Sequence, residues 1–278
     1  MLGAATGDYR EAAMRILATA VVAGAALLIG GSAGAAGWWA PPPGSTLQIQ
    51  FSGLPVDESV PASVYDLDAF DTDAATVSSL HAAGKHVVCY VDAGTWEKWR
   101  PDADVYPKKV RGKSNGWPGE KWLDIRRLDV LGPILSARLD QCVSKGFDAV
   151  EFDNVDGYAN KTGFKLTAGD QLTFNRRLAS AAHAHGLGVG LKNDLDQIPD
   201  LVSDFDFAID EQCAQYDECD ALTPFVTAGK PVFEVEYKLA TAKFCPRAAA
   251  LGFAAMRKHL ALDAWARALL SSARKSAS

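Results

Sequence analysis

Eight times between Thr46 and Arg257 the chain runs through a short apolar, often β-branched stretch, and most of these stretches close on acidic or polar residues before a loop. The stretches are Thr46–Ser52, Ser63–Leu67, His86–Asp92, Asp148–Asp153, Gly188–Asn193, Asp206–Glu211, Pro231–Tyr237 and Gly252–Arg257. Amphipathic runs such as Asp73–Ala83, Leu128–Lys145 and Asp170–His185 separate several of them, and strands alternating with helices predict parallel pairing. Eight units predict a single (β/α)8 TIM barrel, of class α/β. The pair Ala83-Gly84 and the turn Gly186-Leu187-Gly188 supply the helix stops that such a repeat needs. A doubly wound open sheet is the alternative, but no G-x-G-x-x-G follows the first strand and no G-x-x-x-x-G-K-[ST] occurs.

Length and charge agree with one catalytic domain. With 278 residues, 48% hydrophobic and 22% charged, the chain can bury a sizeable core, and barrels of this length are routinely one domain. A net charge of −6 leaves no basic stripe to neutralise phosphates, which argues against a nucleic-acid partner. An acidic site favours a neutral or cationic ligand instead. The chain is expected to work as a monomer.

The N-terminus reads as an export signal. Arg15, an apolar run from Ile16 to Ile29 and the small-residue stretch Ser32-Ala33-Gly34-Ala35-Ala36 follow the charge, core and cleavage-site order of a secretory segment. The apolar run, about 14 residues, is short of the roughly 20 needed to span a bilayer, so no stable membrane span is expected after cleavage. Asp8 and Glu11 are out of place in a basic signal start, which makes Met14 a candidate initiator. The organisation expected is 1–36 extension and signal, 37–45 Pro/Gly linker around Pro41-Pro42-Pro43-Gly44, 46–272 barrel, and 273–278 tail. Five cysteines suit an exported, disulfide-bonded protein with one thiol left over. If Asp92 points into the barrel mouth, Cys89 points outward, within reach of Cys142 on the next helix. Cys213, Cys219 and Cys245 compete for a second bridge. The histidines show no ligand spacing beside these cysteines, so no zinc site is expected.

In a barrel, chemistry belongs at the C-terminal ends of the strands. There the sequence places Asp66 and Asp68; Tyr90 and Asp92; Asp153, Asn154 and Asp156; Lys192, Asn193 and Asp194; Asp210 and Glu211; and Glu234, Glu236 and Tyr237. Strand alternation puts Glu151 and Asp153 on one face. Converging carboxylates suit acid/base or nucleophilic chemistry on a sugar, where one carboxyl stays protonated while a second stays ionised. Any single Asp among them equally reads as a helix cap or ion-pair partner. Trp96, Trp99, Trp117 and Trp122 crowd the long segment after the third strand, either to stack on sugar rings or to form the loop's own core.

Several of these stretches resemble one family. Gln48-Ile49-Gln50-Phe51, Val64-Tyr65-Asp66-Leu67-Asp68, Val88-Cys89-Tyr90-Val91-Asp92-Ala93-Gly94, the run Gly146–Asn154 with its Glu151-Phe152-Asp153-Asn154 end, Leu191-Lys192-Asn193-Asp194, Asp210-Glu211-Gln212-Cys213 and Glu234-Val235-Glu236-Tyr237 are similar to the motifs of the endo-α-1,4-polygalactosaminidase family, glycoside hydrolase family 114. The likeness runs in order from about Trp38 to Trp265. It implies a secreted (β/α)8 barrel that needs no cofactor or metal and hydrolyses α-1,4-linked galactosamine polymers, cationic polysaccharides, with an Asp after strand four and a Glu after strand six. Here those are Asp153 and Glu211. Asp153 is then expected as nucleophile, held ionised by Lys192 and the Asn154 and Asn193 amides, and Glu211 as general acid/base, the swapped roles remaining open. Asp66, Asp68 and Tyr90 are expected to bind hydroxyls or a protonated amine, with Asp92, Glu236 and Tyr237 as further contacts and Glu151 as a buried partner of Lys192. The alternatives are a non-catalytic carbohydrate-binding barrel, a hydrolase of another amino-sugar polymer, a Schiff-base lyase using Lys192, and a metal-dependent hydrolase using Asp153, Asp156 and Asp194.

Overall fold

In the computed structural model, which describes residues 37–268, eight parallel strands pair in sequence order: β1 Leu47–Gln50, β2 Val64–Asp68, β3 His86–Asp92, β4 Ala149–Asp153, β5 Gly188–Lys192, β6 Phe207–Glu211, β7 Val232–Glu236 and β8 Ala254–Lys258. Each lies within two residues of its expected bounds, and the expected (β/α)8 barrel is the fold found. A ninth strand, β9 Ala266–Ala268, pairs antiparallel with β8. The sheet closes through the 259–265 turn rather than a β1–β8 ladder: the Phe51 and Ser52 amides donate to the Leu262 carbonyl at 2.8 and 3.2 Å. Gln48 Nε2 donates to the Ala264 carbonyl at 2.9 Å, and the buried Lys258 ammonium donates to Gln48 Oε1 and the Asp263 carbonyl at 3.1 and 2.7 Å.

Alternation along the strands divides the apolar residues between two cores. Leu47, Ile49, Val64, Val88, Phe207, Ile209, Phe233, Val235 and Met256 fill the barrel interior. Cys89, Val91, Val150, Phe152, Val189, Leu191, Ala208 and Val232 face outward into a second cluster shared with the helices. Each fully buried large aliphatic or aromatic side chain contributes roughly 1.5–3 kcal/mol, and interior packing is tight enough to dictate a glycine. A Cβ at Gly190 would stand 2.4 Å from the Phe207 ring.

Full-length helices follow β2, β3, β4 and β7: α1 Ala74–Ala82, α2 Leu128–Lys145, α3 Ala168–Ala184 and, last, α7 Thr241–Leu251. Asp73 caps α1 by accepting from the Thr76 amide at 2.8 Å. Thr167 and Asp170 form a capping box that starts α3 two residues earlier than the apolar pattern suggests. After β5 and β6 only short turns of helix occur, α4 Ile198–Leu201, α5 Cys213–Tyr216 and α6 Thr223–Thr227. The long segment after β3 folds as a hairpin, Thr95–Glu97 against Glu120–Trp122.

Residues 37–45, expected as a linker, instead belong to the folded body. Trp38 stacks on His183 at 3.7 Å and Trp39 on His86 at 4.1 Å, because flat aromatic surface gains more by covering imidazole than by facing water. The expected signal, the 1–36 extension and the 273–278 tail lie outside the described residues. No described helix is long and apolar enough to cross a membrane.

Cys89 and Cys142 are bridged, tying β3 to α2, and Cys213 and Cys219 form the second bridge, with Cys245 free. Replacing Cys89 and Cys142 together by serine is expected to cost about 2–4 kcal/mol. Urea denaturation with both bridges intact in the wild type is the comparison, and an unchanged midpoint would show that the packing of α2 alone holds this layer.

Candidate active site

The interior positions of β5 are Gly188, Gly190 and Lys192, so the lysine stem rises past two residues without side chains. Its ammonium, 3% exposed, meets three carboxylates: Asp153 Oδ1 at 3.1 Å, Glu151 Oε1 at 3.4 Å and Glu211 Oε2 at 3.4 Å. Burial alone would lower the lysine's pKa. The charges of Asp153, Glu211 and Glu151 outweigh it and hold the group well above its ordinary range. A Schiff-base mechanism needs the free amine, which this surrounding opposes.

Asp153 ends β4 and is the best-supported anion in the mouth. Besides Lys192, it accepts from the Tyr90 hydroxyl on Oδ2 and from the Asn154 amide on Oδ1, both at 2.8 Å. Burial would raise its pKa, but Lys192, Tyr90 and Asn154 together bring it below the ordinary carboxylate range. Burial and the Asp153 charge push Tyr90 well above its ordinary range, which keeps its hydroxyl a donor. Phe51 leans on the Tyr90 ring at 4.2 Å. Gly94 lets the β3 turn approach: a Cβ there would lie 1.7 Å from the Asn154 carbonyl oxygen.

Glu211 ends β6 opposite. Its carboxylate is contacted by Lys192 and by the Tyr237 hydroxyl on Oε1, and its backbone amide donates to Asn193 Oδ1 at 3.0 Å. Asn193 therefore positions Glu211 rather than holding Asp153 ionised, as the sequence suggested. The residues that turn the chain after β4, β5 and β6, namely Asn154, Asn193, Asp194 and Gln212, all have positive φ, between 49 and 74°. Left-handed backbone at three consecutive strand ends is strain concentrated at the mouth, and it swings each following loop sharply away from the carboxylates.

Four expected substrate contacts lie elsewhere or are already engaged. Asp66 is fully buried beneath the mouth with no hydrogen-bond donor on either oxygen, and Glu151, also buried, is in the same condition. Burial and the neighbouring Glu151 raise Asp66 well above its ordinary range. The expected Glu151–Lys192 pairing is present. Asp68 does line the cleft, but its carboxylate is held by both Nη atoms of Arg100, at 2.8 and 2.6 Å, and by the amides of Phe70 and Asp71. Asp92 is buried and accepts from the Thr95 amide and hydroxyl. Glu236 faces away from the barrel axis and accepts from the Ala214 and Gln215 amides at 2.9 and 3.1 Å, which steadies the loop that follows Glu211.

A cleft of about 590 Å³ joins the remaining parts, with Tyr90, Asp153, Asn154, Lys192, Asn193, Glu211 and Tyr237 on its floor. The tryptophans divide between the two readings given above. Trp99 and Trp117, about half exposed, stand on the rim. Trp96 is structural, its indole N–H donating to the Ala103 carbonyl at 2.9 Å and its ring covered by Arg111, and Trp122 is largely buried but reaches the wall. Phe51, Arg100, Glu97 and Glu120 also line the cleft and were missed from sequence. Arg100 beside Trp99 was the available signal, a cation in a loop facing a ring of acids. Among the described residues, the all-oxygen group Asp92, Glu97 and Glu120 converges within 4.8 Å, but its oxygens are engaged by Thr95, Arg100 and Asn115.

Comparison with known proteins adds a name to this geometry. The model of glycoside-hydrolase family GH114 matches residues 30–273. Among solved structures, Aspergillus fumigatus Ega3 in complex with galactosamine is 38% identical, with 83% of this chain and 97% of that chain covered and a TM-score of 0.78. The glycoside hydrolase domain of PelA from Pseudomonas aeruginosa shares the fold at 16% identity, with 82% and 98% covered and a TM-score of 0.64. Comparison with curated proteins gives no match.

Tyr90→Phe removes one of the donors that keep Asp153 ionised. The sign follows: with a donor to the charged form gone, the carboxylate takes up a proton at higher pH, so the acid limb of a kcat/KM profile should move upward. A hydrogen bond to a charged group is worth about 1.5–3 kcal/mol, so turnover below pH 5 should fall at least tenfold, roughly the lower end of that range. An acid limb that stays in place would show that Tyr90 serves only to pack.

Proposed function

Since the chain belongs to glycoside-hydrolase family GH114, we propose that it is a secreted, endo-acting hydrolase of α-1,4-linked galactosamine-containing polysaccharide, with Asp153 as nucleophile and Glu211 as general acid/base. The observation that carries this reading is the shared contact of Asp153 and Glu211 with the Lys192 ammonium on the floor of one cleft. Asp153 has three donors aimed at it, and Glu211 has Tyr237 and the longer lysine contact. The better-stabilised anion suits the nucleophile, and the other carboxyl suits the proton carrier.

The two lysine contacts, 3.1 and 3.4 Å, place Asp153 Oδ1 and Glu211 Oε2 no farther apart than their sum, about 6.5 Å. Retaining glycosidases hold their carboxyls roughly 5–5.5 Å apart and inverting ones roughly 6.5–9.5 Å, so the bound favours retention. In the first step Asp153 attacks the anomeric carbon while the Glu211 proton passes to the glycosidic oxygen, which leaves with the aglycone. In the second, Glu211 takes a proton from water, whose oxygen displaces Asp153 from the anomeric carbon. The proton count closes, and Glu211 ends protonated as it began. No step draws on a group beyond these side chains and water.

Endo action is supported by space on both sides of the carboxyl pair. A cavity of about 390 Å³ continues the cleft past Glu211, and one of about 400 Å³ continues it past Trp99. The galactosamine in the Ega3 structure supports an amino sugar. The two disulfides support an oxidising compartment and thus export.

Asp153→Asn and Glu211→Gln should each fold normally and lose activity on partially deacetylated galactosaminogalactan by roughly 10²-fold or more. Product sizing by chromatography is the readout. Azide restoring turnover to Asp153→Gly, but not to Glu211→Gly, should give a glycosyl azide and fix the nucleophile. Near wild-type cleavage by either amide variant would remove that residue from its role.

A further inference from the structure

Alternation along β6 and β7 sends Ile209, Phe233 and Val235 into the barrel, and it sends Asp210, Glu234 and Glu236 outward beneath the helix layer. There the three acids are sealed. Asp210 and Glu234 are each 1% exposed and Glu236 is fully buried, on the side of the sheet where Phe244 and Ala248 of α7 share a core with Cys213 and Cys219. The strand register sets Asp210 directly beside Glu234 on neighbouring parallel strands. Among the described residues, Asp210 Oδ1, both Glu234 oxygens and Glu236 Oε2 have no hydrogen-bond partner. A carboxyl group in that condition is tolerable when neutral and costly when ionised.

The charged neighbours do little to relieve it. Arg247 on α7 is the cation that acts on Glu234, but its guanidinium is engaged by Asp217 and, at 3.1 Å, by Asp220. Lys192 acts on Asp210 from the other face of the sheet and is already shared by the three acids of the floor. The remaining titratable neighbours are acids and a thiol: Glu218 and Glu211 beside Asp210, Glu236 and Asp210 beside Glu234, and Cys245 of α7, which burial and the Glu234 charge push up. Only backbone amides oppose them, Cys213 at Asp210 and the Ala214 and Gln215 pair at Glu236. Burial and the like charges therefore lift Asp210 to about 7 and Glu234 to about 8. A metal ion does not fit here. Among the described residues, the one group of converging ligand atoms that includes Glu234 pairs it with Cys213 and Cys219, whose sulfurs are bonded to each other.

The same seam carries Glu211. It follows Asp210 on β6, the Gln212 amide donates to the Val235 carbonyl at 2.8 Å, and the Tyr237 hydroxyl, just past β7, donates to the Glu211 carboxylate. We propose that Asp210 and Glu234 form a pH-sensitive latch in this seam: as neutral carboxyls they pack between the sheet and α7 and keep β6 against β7, and as carboxylates they repel, part the strand ends and draw Glu211 away from Tyr237. An acid that the fold holds neutral contributes stability that is fully present below the ordinary carboxylate range, roughly pH 4, and is lost as the pH rises through 7 to 8. The barrel is thus built for acidic surroundings and loosens beside its proton carrier in alkaline ones. The consequence for catalysis rests on the hydrolase reading given above, whereas the latch itself does not.

Hydrogen exchange read by mass spectrometry tests the latch in the wild type alone. After correction for intrinsic rates, exchange of the 207–215 amides should rise about tenfold or more from about pH 6 to about pH 9, the response to releasing one or more protons, and should reverse on return to acid. Asp210→Asn and Glu234→Gln mimic the neutral carboxyls, and the double variant should keep its protection across this range. Urea unfolding followed from about pH 5 to about pH 8 should show the folding constant falling less steeply in each single variant, by up to about tenfold per pH unit for the one proton removed. On partially deacetylated galactosaminogalactan, the alkaline limb of kcat/KM should move upward in the double variant. Loss of negative charge beside Glu211, acting through space alone, would move that limb downward, so its direction separates a latch from a field effect. Wild-type amides with equal protection at both pH values, or variants with the wild-type pH slope of stability, would overturn the latch. Failure of the wild type to cleave the polymer at any pH would overturn the hydrolase reading instead, and exchange and urea unfolding would still decide the latch.

Discussion

The Lys192 ammonium inside the barrel is the charge on which the mouth depends. Desolvating an ammonium costs several kcal/mol, and this one is offset by three carboxylates converging from β4 and β6. The carboxylates depend on it in turn, because three like charges so close would otherwise keep protons or push apart. Below them burial and the neighbouring Glu151 raise Asp66 well above its ordinary range, which favours its neutral form. Removing the lysine would take from Glu151, Asp153 and Glu211 the cation they share, and breaking a buried pair in this way is costly.

Much of this was legible in the sequence, because strand alternation is a strict rule. Eight apolar runs with stops between them specify the barrel, and Asp153, Lys192 and Glu211 fall on interior positions at strand ends. The same rule, applied further, would have removed one candidate. Phe233 and Val235 face the interior, so Glu236 between Val235 and Tyr237 must face outward, and only Tyr237 can join Glu211. Alternation says which face a side chain takes but not how deep it lies or what reaches it. Asp66 and Asp68 both point inward, yet one is sealed under the mouth and the other is clamped by Arg100, which arrives from a loop 32 positions away. No local pattern announces a contact of that kind. The linker expectation failed for a similar reason: prolines and glycine near 41–44 suggest a free tether, but Trp38 and Trp39 beside them find histidines to cover.

The backbone bends that frame the cleft were half-written in the sequence. Asn154 and Asn193 are of the type that tolerates left-handed φ, and an asparagine directly after a barrel strand is a turn signal as much as a functional one. Asp194 is of the same tolerant type, but Gln212 in the same conformation carries no such signal. Their strain is sustained by the contacts around them: Glu236 accepts from two amides of the loop that follows Gln212, and Asn175 holds Asp194. Glu236 and Asn175 thus shape the site through its backbone.

The two sides of the cleft come from different parts of the repeat, and their chemistry differs accordingly. The long hairpin segment after β3 supplies Trp99, Trp117 and an arginine whose charge is cancelled within the protein. The segments after β5 and β6 place no lysine or arginine on the neighbouring cavity, which is lined by Asp156, Asp194, Asp196, Asp210 and Glu218. At the floor, by contrast, Glu151, Asp153 and Glu211 all meet the Lys192 ammonium. The acids without a counter-ion therefore stand to one side of the mouth, away from the Lys192 cluster on its floor.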